Sequence, residues 1–204
     1  MGEDVKGEFF LIAAIVIVVT LILLRELFVA YYAVQLAEQH TAKELAGSLE
    51  RLAKEYELLV EVVCKPSLLC QNVNLYFQDF SSKVKESVDL LYVLVVYNSS
   101  AEQAEFILGN YLWRNLRLRI TLTNGTTTLS TNYLLDQGET REFALGPIAG
   151  ETNLTIHYSY IETERKELVE LNLTRDLAAL YLDLEKSVGD DFLRRKYFYQ
   201  KLLS

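Results

Sequence analysis

Residues Phe9 to Leu24 form an unbroken apolar run, and this run constrains the fold more than any other feature of the chain. Helix-favouring sequence continues without proline to about Val63, with Gly47 as a weak position. A helix from Glu8 to Val63 would be roughly 80 Å long. That is more than twice the roughly 30 Å of a bilayer's hydrocarbon core. We therefore predict an N-terminal helix that is fixed in lipid or in an apolar bundle and carries the rest of the chain outward.

The composition and the end of the apolar run narrow the function further. The chain has 204 residues, half of them apolar, and a formal net charge of −8. An acidic chain without a basic stripe does not suit nucleic acid as a partner. Arg25 and Glu26 continue the helix after Leu24, and no small-residue cleavage site follows. The apolar run is therefore predicted to be retained and not removed as a secretory signal.

The two cysteines, Cys64 and Cys70, lie close together on either side of Pro66. The plain alternative is two unrelated thiols. The spacing, together with an oxidising compartment outside the cytoplasm, favours instead a disulfide that closes a small loop at the far end of the N-terminal helix, which we call the stalk. A metal site would need more ligands, and the histidines, His40 and His157, are far away in sequence. We predict a disulfide and no metal.

Four N-x-S/T triplets, at Asn98, Asn124, Asn153 and Asn172, all follow the stalk. Threonine-rich strands can also generate such triplets for β-structural reasons. Together with the cysteines, they favour a translocated C-terminal part that carries glycans. We therefore place the N-terminus inside and the C-terminal domain outside, at the cell membrane or the extracellular surface.

The predicted N-terminal helix changes from apolar to amphipathic at about Val34. Leu45, Leu49 and Leu52 begin a heptad seam that needs a partner. One candidate is a second helix, from about Val73 to Leu90, which could fold back as a hairpin closed by the disulfide. The other is the same helix in a neighbouring subunit, and the sequence leaves both open.

From Leu91 onward the apolar pattern has a period of two, which indicates strands separated by turns. We expect roughly seven or eight strands in an antiparallel, immunoglobulin-like β-sandwich that folds alone, with a short helix as the alternative for the last two segments. The segments that could supply these strands number nine, more than that count; they are Tyr92–Tyr97, Glu105–Leu112, Leu116–Leu122, Thr126–Leu135, Thr140–Leu145, Leu154–Tyr160, Val169–Leu173, Leu180–Leu184 and Phe192–Tyr199. The predicted class is α+β: residues 1–7 form a leader or cytoplasmic stub, 8–34 a membrane or filament-core helix, 35–90 a helical hairpin stalk and 91–204 the sandwich.

No residue pattern for catalysis is present in the sequence. Neither His40 nor His157 has a Cys, His or Asp neighbour at ligand spacing, and Asp190-Asp191 fits a turn better than a cation site. We predict no catalytic residues, no metal and no cofactor, and we do not expect an enzyme.

The segment Lys6-Gly7-Glu8-Phe9-Phe10 resembles the class III signal of type IV pilins, particularly archaeal pilin-like proteins. The resemblance implies cleavage by a prepilin peptidase between Gly7 and Glu8. It also implies an extracellular filament, with the N-terminal helices bundled as a core and the β-rich heads displayed outward.

Small side chains make the N-terminal helix slim enough to pack closely against copies of itself. We predict self-association through Ala13, Ala14, Ile15, Val18, Leu45, Leu49 and Leu52. The predicted function is a structural subunit of a type IV pilus-like filament, a surface appendage used in adhesion. The alternative is a single-span membrane-anchored ectodomain that acts as an envelope-binding, adhesion or stator-like module. A mature chain that begins at Glu8 would favour the first.

Overall fold

Helical segments precede nine strands in the part of the chain that the computed structural model describes, namely residues 20, 23–28, 43–65, 70, 72–160, 163–188 and 191–203. The chain divides into two units. In Met1–Glu44 the described residues are all helical. Leu45–Ser204, which we call the β unit, contains all nine strands.

Helix α1 covers residues 43–63 and helix α2 covers Val73–Val84. Tyr56 of α1 is fully buried and packs edge-on against Phe80, with ring centroids 4.8 Å apart. Its hydroxyl shares a 2.6 Å hydrogen bond with Ser81 Oγ. The two helices form a hairpin within one chain. The partner of the α1 seam is therefore the second helix, which ends at Val84 and not at Leu90.

The strands follow one another with short turns. They are β1 (Asp89–Asn98), β2 (Gln103–Tyr111), β3 (Leu116–Thr123), β4 (Thr128–Leu135), β5 (Glu139–Leu145), β6 (Gly150–Tyr160), β7 (Thr163–Leu173), β8 (Leu177–Val188) and β9 (Asp191–Leu202). Each predicted strand segment overlaps one of them. Because β8 and β9 are both strands, the helical alternative for the end of the chain is excluded.

All strand pairs are antiparallel and form two sheets. Sheet A has the order β5-β2-β1-β8-β9, and sheet B has the order β4-β3-β6-β7. Sheet B shows the alternation that its sequence predicts: in β3, Leu118 and Ile120 are buried while Arg117 and Arg119 are exposed. Sheet A continues past β1 with β8 and β9, which a seven-stranded immunoglobulin-like sandwich does not have.

Sheet A is covered on both faces, so its central strands are buried throughout. One face packs on sheet B, with Leu91, Val93 and Val95 in the core between the sheets. The other face packs under α1 and α2, where Leu94 and Leu180 meet the helices in a second core. A strand buried on both faces needs a continuous apolar run and not an alternating one, which explains the sequence of β1.

The predicted fold class, α+β with a long apolar helix, is wrong. Strands make up 55% of the described residues, in two antiparallel sheets, and the helices seen there are short. The amphipathic segment from Leu45 is not a free stalk, because it forms the cover of sheet A. Most of the predicted membrane or filament-core helix, residues 8–34, lies outside the described residues.

The β-rich part also depends on the helices. The predicted boundary at Leu91 falls inside β1. Without α1 and α2, fully buried side chains such as Tyr92 and Leu94 on the outer face of sheet A would meet water. The helices and both sheets thus form one folding unit, which argues against the expectation that residues 91–204 fold alone.

Candidate functional site

The β unit has two distinct ends, which we call proximal and distal. The chain enters the unit at Leu45, and there Lys186 Nζ donates a 3.3 Å hydrogen bond to Ser48 Oγ of α1; this is the proximal end. At the other end, Lys201 Nζ lies 2.5 Å from Glu61 Oε2 near the last turn of α1; this is the distal end. Helix α1 therefore runs alongside β8 and β9 from one end of the unit to the other.

All four sequon asparagines lie at the distal end. Asn98 is the last residue of β1 and Asn124 follows β3, while Asn153 is near the start of β6 and Asn172 near the end of β7. Antiparallel pairing brings these strand ends together, since Thr123 pairs with Asn153. The sequence could not show this clustering, because it depends on which strands end at the same side of the sandwich.

The four asparagines differ in their surroundings. Asn153 and Asn172 are exposed on the outer face of sheet B. Asn98 is half-buried, and its Oδ1 accepts hydrogen bonds from two backbone N–H groups of the next turn. Asn124 is hydrogen-bonded through both polar atoms of its side chain: Nδ2 donates to the Ala149 carbonyl and Oδ1 accepts from the Thr127 N–H. A groove of about 540 Å³ runs past Asn124, Asn153 and Asn172.

Cys64 and Cys70 are joined by a disulfide, with their Cα atoms 4.0 Å apart. Both side chains are buried in the core between the helices and sheet A. The bond connects the end of α1 to the residues that lead into α2, as the spacing predicted.

A cluster of buried charges, which sequence reasoning missed, lies between the sheets towards the proximal end. Arg194 of β9 donates to both carboxylate oxygens of Asp183 on β8, with Nε 2.7 Å from Oδ1. The Tyr158 hydroxyl of β6 donates to the same carboxylate. Arg114, in the turn after β2, donates to Glu185 Oε2 at 2.8 Å. The side chain of Asp183 is 0% exposed and that of Glu185 4%.

The electrostatics of this cluster follow from burial and pairing. Burial raises the pKa of Glu185, and the charges of Arg194 and Arg114 only partly offset this. Burial alone would lower the pKa of Arg194, but hydrogen bonding to Asp183 and the charge of that carboxylate raise it overall. Burial and the Asp183 charge raise the pKa of Tyr158. Each buried carboxylate is paired with an arginine, although Arg114 Nε and Arg194 Nη1 are buried without a hydrogen-bond partner among the described residues. Such pairing is typical of a structural ion-pair network.

The period-two pattern of Leu180–Leu184 predicts a strand but does not show that both of its faces are covered. Sheet B covers the face with Asp183 and Glu185, while α1 and α2 cover the opposite one. The signal that could have found the cluster is a pair of carboxylates in a strand whose partner, β9, carries Arg194.

The remaining predicted residues divide into buried ones and ones outside the described part. Leu45, Leu49 and Leu52 are buried within the chain, so this section of the seam is closed to a neighbouring copy. His157 is paired with Glu164 at 2.6 Å. The residues of the predicted cleavage site and of the first self-association segment lie outside the described residues; they are Gly7, Glu8, Ala13, Ala14, Ile15 and Val18.

Among the described residues, no helical segment combines the length and hydropathy that a membrane crossing requires. In the same part of the chain, no group of three or more His, Cys, Asp or Glu side chains is arranged to hold a metal ion.

Comparison of the chain with protein-family models, with curated proteins and with solved structures found no match.

Proposed function

We propose that the chain is a structural subunit of an extracellular, pilin-like filament. In this proposal the apolar segment from Phe9 to Leu24 packs with copies of itself in the filament core, and the β unit is displayed outward. The segment that resembles the class III signal, with cleavage between Gly7 and Glu8, supports this assignment. The N-terminus would be inside before export, and the β unit would be outside the cell.

The observation that carries the proposal is that the heptad seam of α1 is buried within the chain. Leu49 and Leu52 are covered by the chain's own second helix and sheet A. The seam leucines of the amphipathic half therefore belong to the head and are not available for assembly. The proposal assigns the contacts with other copies to the apolar half.

Two features of the β unit also favour a structural role over a chemical one. The buried charges between the sheets are paired with one another and enclosed, which suits a rigid head. The sequons lie at the end away from the point where the chain enters the unit. Modification there would leave the proximal end clear for assembly.

The alternative, a single-span anchored ectodomain, is supported by the same burial, because a head with a covered seam is complete as a monomer. The mature N-terminus distinguishes the two functions. Mass spectrometry of the chain isolated from its native envelope should find a chain that begins at Glu8 if it is a filament subunit. A retained Met1 would favour the anchored ectodomain.

Assembly itself is tested with Ala14→Leu, which keeps the apolar character of the segment but adds bulk at a predicted close contact. The variant should reach the membrane normally and yield fewer filaments in sheared surface material. Ala101→Leu, at an exposed turn position after β1, adds the same bulk away from the segment and should leave the yield unchanged. A normal filament yield from Ala14→Leu would count against the proposed function.

A further inference from the structure

We propose that Asn153 and Asn172 are the acceptors of N-linked glycans, and that Asn98 and Asn124 are turn-forming residues that stay unmodified. The proposal shares with the proposed function only the placement of the β unit outside the cytoplasm. It does not depend on filament assembly. All four asparagines satisfy the N-x-S/T pattern equally, so the sequence does not separate them.

The chemistry of transfer sets the requirement for an acceptor. In the reaction with a glycosyl diphosphate donor, the bond from the anomeric carbon of the sugar to the phosphate oxygen breaks, and the diphosphate leaves with the electron pair. The new bond forms to Asn Nδ2, which gives up one proton to a base of the transferring enzyme. The acceptor side chain must therefore be exposed, with Nδ2 free of other partners.

Asn153 and Asn172 meet this requirement. Both are exposed on the outer face of sheet B, and neither Nδ2 donates a hydrogen bond to another described residue. Asn172 Oδ1 accepts a 2.8 Å hydrogen bond from Thr174 Oγ1, which leaves Nδ2 unused. Asn153 pairs with Glu170, and Glu151 pairs with Asn172. The two acceptors are thus diagonal neighbours, roughly 7–8 Å apart.

Asn124 fails the requirement because its Nδ2 already donates a hydrogen bond, and Asn98 fails it because its side chain is half-buried. Both side chains also hold turns. Asn98 Oδ1 accepts hydrogen bonds of 3.0 and 3.2 Å from the N–H groups of Ser100 and Ala101. Asn124 Oδ1 accepts one of 2.8 Å from Thr127, and its Nδ2 donates one of 3.1 Å to the Ala149 carbonyl. Such bonds stabilise the turn locally. Transfer to Asn124 would break the link to Ala149.

The two acceptors lie where a glycan has a physical effect on the sheet. Strand β7 is an edge of sheet B, so one side of its backbone has no strand partner among the described residues. Exposed strand edges invite pairing with another chain. Glycans at Asn153 and Asn172 would cover the distal half of this edge and of the neighbouring outer face. The glycan pair therefore marks a surface that does not take part in contacts between proteins.

Site occupancy is measured by mass spectrometry of peptides from the full chain, purified from a secreting host that glycosylates a control protein. We expect glycan on Asn153 and Asn172 and none on Asn98 or Asn124. Removing the sequon hydroxyl residue, with Thr155→Ala and Thr174→Ala, should abolish the modification at each site. The matched changes Ser100→Ala and Thr126→Ala should leave the mass of the attached glycan unchanged.

Thermal unfolding separates the two roles of the asparagines. Asn98→Ala and Asn124→Ala should lower the Tm by about 2–4 °C, since each removes local hydrogen bonds in a unit of this size. Asn153→Gln and Asn172→Gln in unglycosylated protein should leave it unchanged.

Glycan on Asn98 or Asn124, or bare Asn153 and Asn172 in the glycosylating host, would overturn the proposal. The glycan map is read independently of filament yield. A correct map without filaments would therefore reject only the proposed function.

Discussion

Gly109 of β2 offers the sharpest test of how the helices and sheet A pack. It pairs with Tyr92 of β1, and the tyrosine ring lies over the glycine. A Cβ atom added at Gly109 would be 2.1 Å from Cε1 and 2.3 Å from Cζ of that ring. Carbon atoms in contact are separated by at least about 3.5 Å, so the ring would have to move by at least about 1.4 Å.

The surroundings of Tyr92 do not allow that movement without cost. Its side chain is fully buried, with ring centroids 5.2 Å from Phe77 of α2 and 6.1 Å from Tyr111 of β2. Overpacking of this kind costs about 1–3 kcal/mol. Expelling the ring and losing its burial would cost about 3–5 kcal/mol. We therefore expect Gly109→Ala to lower the free energy of unfolding by about 2–4 kcal/mol.

The assay is urea unfolding of the full chain in mild detergent, followed by circular dichroism. In a Tyr92→Leu background the clashing ring atoms are gone, and Gly109→Ala should cost less than about 0.5 kcal/mol. The coupling between the two positions should then be about 1.5 kcal/mol or more. Gly47→Ala is the matched control, because a Cβ there meets no atom within 4 Å. This change should raise the free energy of unfolding by about 0.5–1 kcal/mol, since alanine favours the helix more than glycine does. An equal cost of Gly109→Ala in both backgrounds would refute the packing argument.

Three further predictions concern the buried charges, the disulfide and one exposed carboxylate. Arg194→Leu should lower the free energy of unfolding by about 3–5 kcal/mol, because it leaves Asp183 buried without its main cation. The control is Arg195→Leu, at the exposed neighbouring position, measured by the same urea unfolding. An equal loss of unfolding free energy in the two variants would contradict this reasoning. Replacing both cysteines with serine should cost about 2 kcal/mol, because the closed loop is short; free thiols in the native protein under non-reducing mass spectrometry would contradict the bond. Hydrogen bonds from the Ser99 hydroxyl and N–H hold the pKa of Asp176 below its ordinary value of 3.8. This stabilisation is present above the unfolded-state pKa and is lost as the pH falls through the folded-state value. The Tm difference between wild type and Asp176→Ala should therefore shrink between neutral pH and about pH 2, and a constant difference would reject the assignment.

The parts of the fold that sequence predicted are those whose pattern depends on local structure. The alternation in β3 predicted a half-buried strand because one face of sheet B is open to water. The spacing of Cys64 and Cys70 predicted their bond because the two residues are close along the chain. In each of these cases a short stretch of sequence carries the physical cause of its own structure.

The parts that sequence missed depend on what covers a segment. Strand β8 reads as half-exposed, yet Asp183 is fully buried because helices and a second sheet pack on opposite faces. The seam of α1 predicts a partner but not which partner, and the structure supplies it from within the chain, as α2 and sheet A. The sequon asparagines were found as a pattern, but their gathering at one end follows from strand order alone.

The path of α1 along sheet A determines how the head bears mechanical load. A pull applied at Leu45 along the axis of α1 would act along the strands on which the helix lies. The buried side chains along α1 then resist together, in shear, and are not peeled away one at a time. The bond between Cys64 and Cys70 ties the far end of α1 to the residues before α2, so sliding one helix would drag the other. A pull applied at the distal end of the β unit would therefore reach Leu45 through packed side chains, before any strand has to separate.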